Sequence, residues 1–325
     1  MIRIEELTFT YPGAAKPTLD HLNLHIEKGD FLAIIGNNGC GKSTLCKTLN
    51  GLIPHFIAGD MTGSVKINGI ETKEANVGEL AQSVGYVYQD FENQIVRPTV
   101  LDDASFACLN YAVEDYEEKG REALKMCGLA GKEEDFIWQL SGGQKHLLAL
   151  AGAATLKPEI LILDEPIAQL DPFHARQTYE ILKELNESYG KTIIVIEHHT
   201  EFIADYCKNA VLMRNGNIEW KMPARDALRR VEDLQASNIY PPQTAVAAKR
   251  LQEMGILSKA AMLPTTVEEG KAVYQDMTFV PKKSKNIESK ASGETAVVFD
   301  DVSVGYRAVK GSQTKIFENF NLELK

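Results

Sequence analysis

The sequence predicts an α/β fold in which a phosphate-binding loop joins a buried strand to a helix. Three observations predict it. Gly36-Asn37-Asn38-Gly39-Cys40-Gly41-Lys42-Ser43 spells a complete loop of this kind, between the apolar strand Phe31 to Ile35 and a helix that begins near Lys42. Downstream, Ser83 to Tyr88, Ile160 to Leu163 and Thr192 to Ile196 read as strands, while Arg121 to Cys127, Gln144 to Leu156 and Phe173 to Ser188 carry apolar residues at helical spacing. Ile160 to Leu163 and, after Thr192, Ile193 to Ile196 are uninterrupted apolar runs, the pattern of parallel strands covered on both faces.

Each residue type in the loop meets a physical need. Gly36, Gly39 and Gly41 let successive backbone N–H groups point inward at phosphate oxygens, and the following helix N-terminus adds partial positive charge. Lys42 supplies a full charge for the outer phosphates, and the Ser43 hydroxyl is an oxygen donor of the kind magnesium prefers. Cys40 stands among the phosphate-facing amides, where the loop's positive field is expected to favour its thiolate.

Between about Val100 and Ala154 no strand is evident, so this stretch reads as a helical insertion. It contains Leu140-Ser141-Gly142-Gly143-Gln144, in which Ser141 and Gln144 fit a capping box and two glycines bare the N–H groups of a helix start, a second anion site. Ile160-Leu-Ile-Leu-Asp164-Glu165-Pro166 is a buried strand ending in two acids. At such a strand end beside a phosphate loop, Asp164 is placed to hold magnesium and Glu165 to orient or deprotonate an attacking water. Beyond about Ile218 the pattern weakens into short helices, including Thr244 to Met254 after Pro241-Pro242.

Composition narrows the function classes. A net charge of −10 disfavours non-specific attraction to nucleic acid or anionic lipid. The longest apolar run, Leu147 to Leu156, falls well short of the roughly 20 residues that a spanning helix needs. The start MIRIEELTF has charges where a signal peptide carries its apolar segment, and five cysteines without metal-type spacing point to reduced thiols in the cytoplasm. Residues 281–296 have the composition of a solvated linker. After it, Phe299 to Tyr306 matches Ile4 to Tyr11 in character, and Ile316 to Leu324 parallels Thr18 to Ile26. With Asn321 aligned on Asn23, a counterpart of Gly36 would fall beyond Lys325, so residues 297–325 are expected to be the opening strands of a second, truncated copy.

As an ordered set, the loop at 36–43, Gln89 after a strand, LSGGQ at 140–144, ILILDEP at 160–166, Leu170-Asp171 and His198 after TIIVI resemble the nucleotide-binding domain of ATP-binding-cassette (ABC) proteins, over residues 1 to about 220. The resemblance implies a P-loop NTPase fold with a RecA-like core, an antiparallel β subdomain and a helical signature subdomain at about 95–155. The cassette would span 1–230, followed by a helical extension at 231–280. It implies ATP and Mg2+ as ligands, with Gly36, Asn37, Asn38, Gly39, Cys40, Gly41, Lys42, Ser43 and Thr44 around the phosphates and Tyr11 stacked on adenine. Ser43, Gln89 and Asp164 would serve the metal, Glu165, His198 and Gln89 the hydrolysis, and Asp171 the D-loop. Ser141, Gly142, Gly143 and Gln144 would complete the ATP site of a second cassette in a head-to-tail dimer.

Finer features resemble the energy-coupling-factor branch of vitamin and metal importers: Gly51 to Phe56, Gln89 to Gln94, Ile196 to His199 and Leu263 to Glu269. That branch implies a transmembrane subunit and a substrate-binding membrane subunit as partners, a peripheral place on the cytoplasmic face of the membrane, and no nucleic acid. A soluble tandem ATPase acting on ribosomes or DNA is the alternative; against it, Ala168-Gln169 precede Leu170-Asp171 where translation-factor relatives usually carry Asn-His. Two departures from the family pattern are Leu147, where many relatives carry arginine, and Ala168, where serine is common.

Overall fold

The computed structural model describes residues 1–278, 295–307 and 313–324. The linker expected at 281–296 lies, apart from Thr295 and Ala296, outside the described residues. The chain divides into two compact units, Met1–Gln275 and Asp276–Lys325.

The strands of the first unit are β1 (Ile2–Thr10), β2 (Leu19–Ile26), β3 (Phe31–Ile35), β4 (Asp60–Ile67), β5 (Ile70–Glu71), β6 (Val84–Val87), β7 (Ile160–Asp164), β8 (Thr192–Ile196), β9 (Asn209–Arg214) and β10 (Asn217–Pro223). Its helices are α1 (Lys42–Leu49), α2 (Leu52–His55), α3 (Val77–Ser83), α4 (Val100–Asn110), α5 (Tyr116–Met126), α6 (Gly142–Ala154), α7 (Pro172–Glu187), α8 (Thr200–Tyr206), α9 (Ala224–Arg229), α10 (Val231–Ala236), α11 (Gln243–Glu253) and α12 (Val267–Tyr274).

Among the described residues, the central sheet runs β10-β9-β3-β8-β7-β6, parallel except for the β9–β10 pair at its edge. β3, β7 and β8 are buried along their whole length because each face has its own cover. Phe31, Ala33, Ile35, Leu161, Leu163, Ile193 and Val195 point into one core with α4 to α8, while Leu32, Ile34, Ile160, Ile162, Ile194 and Ile196 point into another with α1 and the second sheet. Alternation along a strand thus feeds two cores at once, which explains uninterrupted apolar runs. The second sheet, β2-β1-β4-β5, is antiparallel and carries Ile2, Ile4, Leu7, Phe9, Leu22 and Ile26 inward.

Helices α4 to α6 stand between β6 and β7, as the strandless stretch of sequence predicts, and the capping box forms: Gln144 N–H donates to Ser141 Oγ at 3.3 Å and Ser141 N–H to Gln144 Oε1 at 3.1 Å. Leu147 is buried in the core that α6 shares with α4 and α5, so an apolar side chain at this departure contributes packing. The expectation of helices alone beyond Ile218 is corrected by β10, whose alternating Ile218, Trp220 and Met222 pair it to β9. Strand β4 also went unforeseen, because Val65 and Ile67 are its only fully buried residues.

Within the second unit, β11 (Val297–Arg307) pairs antiparallel with β12 (Gln313–Leu324). This hairpin repeats the irregularities of β1–β2. Glu6 and His21 have positive φ, as do Asp301 and Asn319. Glu6 N–H donates to Asn23 Oδ1 at 3.0 Å, and Asp301 N–H to Asn321 Oδ1 at 2.7 Å. Asn23 Nδ2 donates to His21 O at 3.1 Å, and Asn321 Nδ2 to Asn319 O at 3.0 Å. His21 N–H donates to Thr8 Oγ1 and Asn319 N–H to Ser303 Oγ. The aligned asparagines noted in the sequence therefore staple the same bulge in both hairpins.

On α6, His146 is 1% exposed, its two ring nitrogens lack hydrogen-bond partners among the described residues, and its ring meets Phe91 edge-on at 5.1 Å. Burial pulls its pKa from 6.5 down to about 4. Between those values the folded chain binds fewer protons here than the unfolded chain, so stability rises with pH across the window and is lost as pH falls. Urea titrations at the two ends of the window should show this residue costing roughly 3 kcal/mol on acidification. In His146→Leu that increment should vanish; an unchanged pH slope would contradict the assignment.

Candidate functional site

Parallel pairing decides where the polar residues gather. In register, Ile34 pairs with Ile196, Asp164 with Ile196, and Leu163 neighbours both Val87 and Val195. The C-terminal ends of β3, β8, β7 and β6 therefore share one edge, where ligands of open α/β sheets bind. From those ends emerge the phosphate loop, Glu197-His198, Asp164-Glu165 and Gln89.

The loop turns tightly from β3 into α1. Gly36 has φ 154° and Gly41 φ 104°. A Cβ at Gly36 would stand 2.4 Å from Met213 O and 2.7 Å from Cys40 Sγ, so the turn holds only glycine there. Lys42 is buried, and its Nζ donates to Gly36 O at 2.8 Å and Asn37 O at 3.1 Å, the loop's own carbonyls. Asn37 Oδ1 is buried with no hydrogen-bond partner among the described residues. The Tyr11 hydroxyl lies 3.1 Å from Thr44 Oγ1, which brings the tyrosine to the first turn of α1.

The expected Cys40 thiolate is corrected here. Cys40 turns into the core, 3% exposed, and burial raises its pKa while the nearby Lys42 charge only partly opposes this. The side chain meets the hydrophobic interior before it meets the loop's field.

Asp164 is buried; desolvation raises its pKa, partly countered by a hydrogen bond from Ser43, and it accepts from the Tyr86 hydroxyl at 3.3 Å. Glu165 adopts φ 53°, a left-handed conformation unfavourable for a side-chain-bearing residue. Its N–H is held by Ile196 O at 3.0 Å, and the turn aims its carboxylate at two partners. Gln89 Nε2 donates to Glu165 Oε2 at 2.8 Å. His198 Nε2 lies 3.3 Å from Glu165 Oε1, within ion-pair reach but outside hydrogen-bond geometry, so that buried nitrogen remains without a hydrogen-bond partner. His199, its neighbour, points elsewhere: its Nδ1 bonds Glu197 Oε1 at 2.9 Å, which raises its pKa.

The loop, Asp164, Glu165, Gln89 and His198 are thus gathered at one edge, as the motif order predicts. The LSGGQ segment is not among them. Asn37, Asn38, Glu165 and His198 line one cavity of about 470 Å³ whose remaining walls are Asn238, Ile239 and Tyr240, with no residue from 140–144. Gly143 instead lies beneath the His174 ring, where a Cβ would meet His174 Cγ at 2.4 Å. His174 in turn pairs with Asp171, the N-cap of α7, which holds that carboxyl below its usual range.

Sequence reasoning missed several residues of this region. Gln94 Nε2 donates to Tyr86 O at 2.8 Å and its Oε1 accepts from Tyr88 N–H at 3.2 Å, pinning the loop that carries Gln89. Lys145, beside the capping box, reaches Glu92 of that same loop at 2.8 Å. Tyr86 and His174 carry no motif signal of their own, because Asp164 and Gly143, distant in sequence, are what they meet.

The model of the ABC transporter family matches residues 19–168. A putative ABC transporter ATP-binding protein of Pyrococcus horikoshii is 38% identical over 271 residues, 83% of this chain and 95% of that protein. The chain belongs to the ABC transporter ATP-binding proteins. It spans about half of some relatives: one from Methanosarcina acetivorans is 36% identical over 91% of this chain but only 46% of its own length. The energy-coupling factor transporter ATP-binding protein EcfA2 of Acetivibrio thermocellus is 36% identical over 78% of this chain and 90% of that protein. Among solved structures, cbiO1 from Clostridium perfringens, described as part of the ABC transporter complex cbiONQ, superimposes with TM-score 0.65 at 28% identity over 76% of this chain and 98% of its own. A dimeric cassette in a post-hydrolysis state with ADP and Pi superimposes with TM-score 0.61 at 28% identity, over 69% of this chain and 99% of its own.

An ABC cassette binds and hydrolyses ATP, and this edge suits that ligand: a lysine resting on carbonyls it can leave, and a buried His198 Nε2 without a hydrogen-bond partner among the described residues. It also suits magnesium. Ser43, Asp164 and Gln89 offer hard oxygen donors, and one carboxylate leaves room for water and phosphate oxygens. Removing the Lys42 charge in Lys42→Ala should weaken ATP binding by about 10- to 100-fold. Equilibrium dialysis measures it, and undiminished affinity would contradict the loop's role.

Proposed function

We propose that this chain is the ATP-hydrolysing subunit of an energy-coupling-factor-type importer of a vitamin or metal ion. In this reading Lys42 leaves Gly36 O and Asn37 O and takes the outer phosphates, while the loop amides and the start of α1 neutralise the remainder. Magnesium, when bound by Ser43, Asp164 and Gln89, neutralises charge on the outer phosphates. Glu165 takes the proton of the attacking water, held by Gln89 on one carboxylate oxygen. His198 donates through its unpartnered Nε2 to the terminal phosphate. Because phosphoryl transfer needs mainly positioning and charge neutralisation, these groups suffice.

Ser141, Gly142, Gly143 and Gln144 lie away from this chain's own cavity, which supports their acting on the ATP of a second cassette. The dimeric relative with ADP and Pi supports the same arrangement. We further propose that residues 297–325 open such a second cassette, on the strength of the bulge that Asn321 staples as Asn23 does. The coding sequence downstream tests this: a second phosphate-loop pattern supports it, and its absence removes it.

The single observation that carries the importer reading is a groove of about 350 Å³ where α3, β6, α4 and α6 meet, lined by Leu52, Val77, Tyr88, Gln94, Phe106 and Tyr111. It opens beside the loop whose Gln89 holds Glu165, so an apolar helix end seated there would bear on the hydrolytic network. Among the described residues no helix is long and apolar enough to cross a membrane, so the helix would come from a transmembrane subunit, with this chain peripheral on the cytoplasmic face. The EcfA2 relative and the cbiO1 neighbour support that partner class.

Two variants test the proposal. Glu165→Gln should retain ATP while hydrolysis falls by about 10²- to 10⁴-fold; normal turnover would remove Glu165 as the base. Phe106→Arg should abolish co-purification with membrane proteins while leaving ATP hydrolysis of the isolated chain intact. Recovery of ribosomes or DNA in place of membrane proteins would favour a soluble ATPase instead.

A further inference from the structure

The hydrolytic cavity has a wall that none of the family motifs supplies. Asn238, Ile239 and Tyr240, between α10 and α11, share it with Asn37, Asn38, Glu165 and His198. The segment is anchored on both sides. Ser237 is buried, accepts from Arg214 Nη2 at 2.7 Å and donates to Asp233 O at 2.9 Å. Ile239 is buried, and its N–H reaches Leu234 O at 2.9 Å. The Tyr240 carbonyl accepts from Thr200 Oγ1 at 3.0 Å, two residues past His198, and Pro241 and Pro242 are buried behind it. Between these anchors Asn238 holds φ 54°, and both Asn238 and Tyr240 project outward.

Core packing does not account for these two side chains. Tyr240 is 83% exposed, a large ring held in the open, beside a polar cavity, by the anchored backbone that carries it. Across that cavity lie Asn37 Oδ1 and His198 Nε2, both buried and without hydrogen-bond partners among the described residues. A carboxamide and a phenol add uncharged donors and acceptors where phosphate oxygens and water need them, without adding negative charge.

We propose that residues 237–242 form a third wall of the hydrolytic pocket, in which Asn238 and Tyr240 are positioning residues that hold the terminal phosphate and its attacking water against Glu165 and His198. This rests on the ATPase reading above. The Thr200–Tyr240 bond ties the wall to the loop bearing His198, so the two move together. Oriented water and excluded solvent raise turnover without strengthening ground-state binding of ATP.

The test uses the full chain with Mg-ATP. Asn238→Gly, which keeps the left-handed turn, and Tyr240→Ala should each lower kcat about tenfold while KM for ATP stays within about twofold, the split expected for an interaction made in the transition state. A Tyr240→Trp probe in the Glu165→Gln background gives a readout independent of turnover. Its emission, taken as a difference against the same chain with Tyr240, should change with ATP and not with ADP. A kcat in both variants equal to that of the unsubstituted chain, or unchanged emission when dialysis shows ATP bound, would overturn the third wall and leave the ATPase reading standing. Absence of ATP binding altogether would overturn both.

Discussion

The parallel pairing of β3, β8, β7 and β6 is the constraint on which the rest of the structure depends. It requires that each of these strands be followed by a crossover, so that all four end at the same edge, with helices α4 to α8 covering one face and α1 with the second sheet the other. Chemistry at that edge needs no further assembly. The loop after β3, the acids after β7, the glutamine after β6 and the histidine after β8 meet because their strands are in register. Two cores, one on each face, make the register expensive to change, since a one-residue slip would exchange the residues feeding them.

The site stores polar potential in a form that a triphosphate can use. Lys42 sits on carbonyls of its own loop, His198 Nε2 is buried without a partner among the described residues, and Glu165 is held in an unfavourable backbone conformation. Leaving polar atoms unsatisfied costs folding free energy, and ligands that satisfy them are correspondingly favoured. Glu165 couples Gln89 to His198, while Gln94 pins the Gln89 loop to the end of β6 and the Glu92–Lys145 pair ties it to the start of α6. A displacement of the helical insertion therefore reaches the carboxylate through bonded neighbours.

Much of this was legible in the sequence where the signal was local. Phe31–Ile35 and Ile193–Ile196 are apolar runs, and the structure places strands over them. The Ser141–Gln144 capping box is written in four adjacent residues and forms as written. What escaped was non-local or weakly apolar. Strand β4 buries few side chains, β10 lies at a sheet edge, and the wall at Asn238 and Tyr240 is near the loop only because α10 packs back on the core. Cys40 went the other way: its motif position suggested an activated thiol, but the fold turns it inward, and burial outweighs the charge of Lys42.

The central claim is that this strand-end edge clasps the outer phosphates of ATP, with Glu165 facing the water that attacks. A crystal structure with magnesium and a non-cleavable ATP analogue tests it most directly. The account predicts Lys42 Nζ and His198 Nε2 within hydrogen-bond distance of the terminal phosphate, and a water between that phosphate and Glu165. Lys42 still bonded to Gly36 and Asn37 carbonyls, with the phosphates elsewhere at saturating ligand, would contradict it.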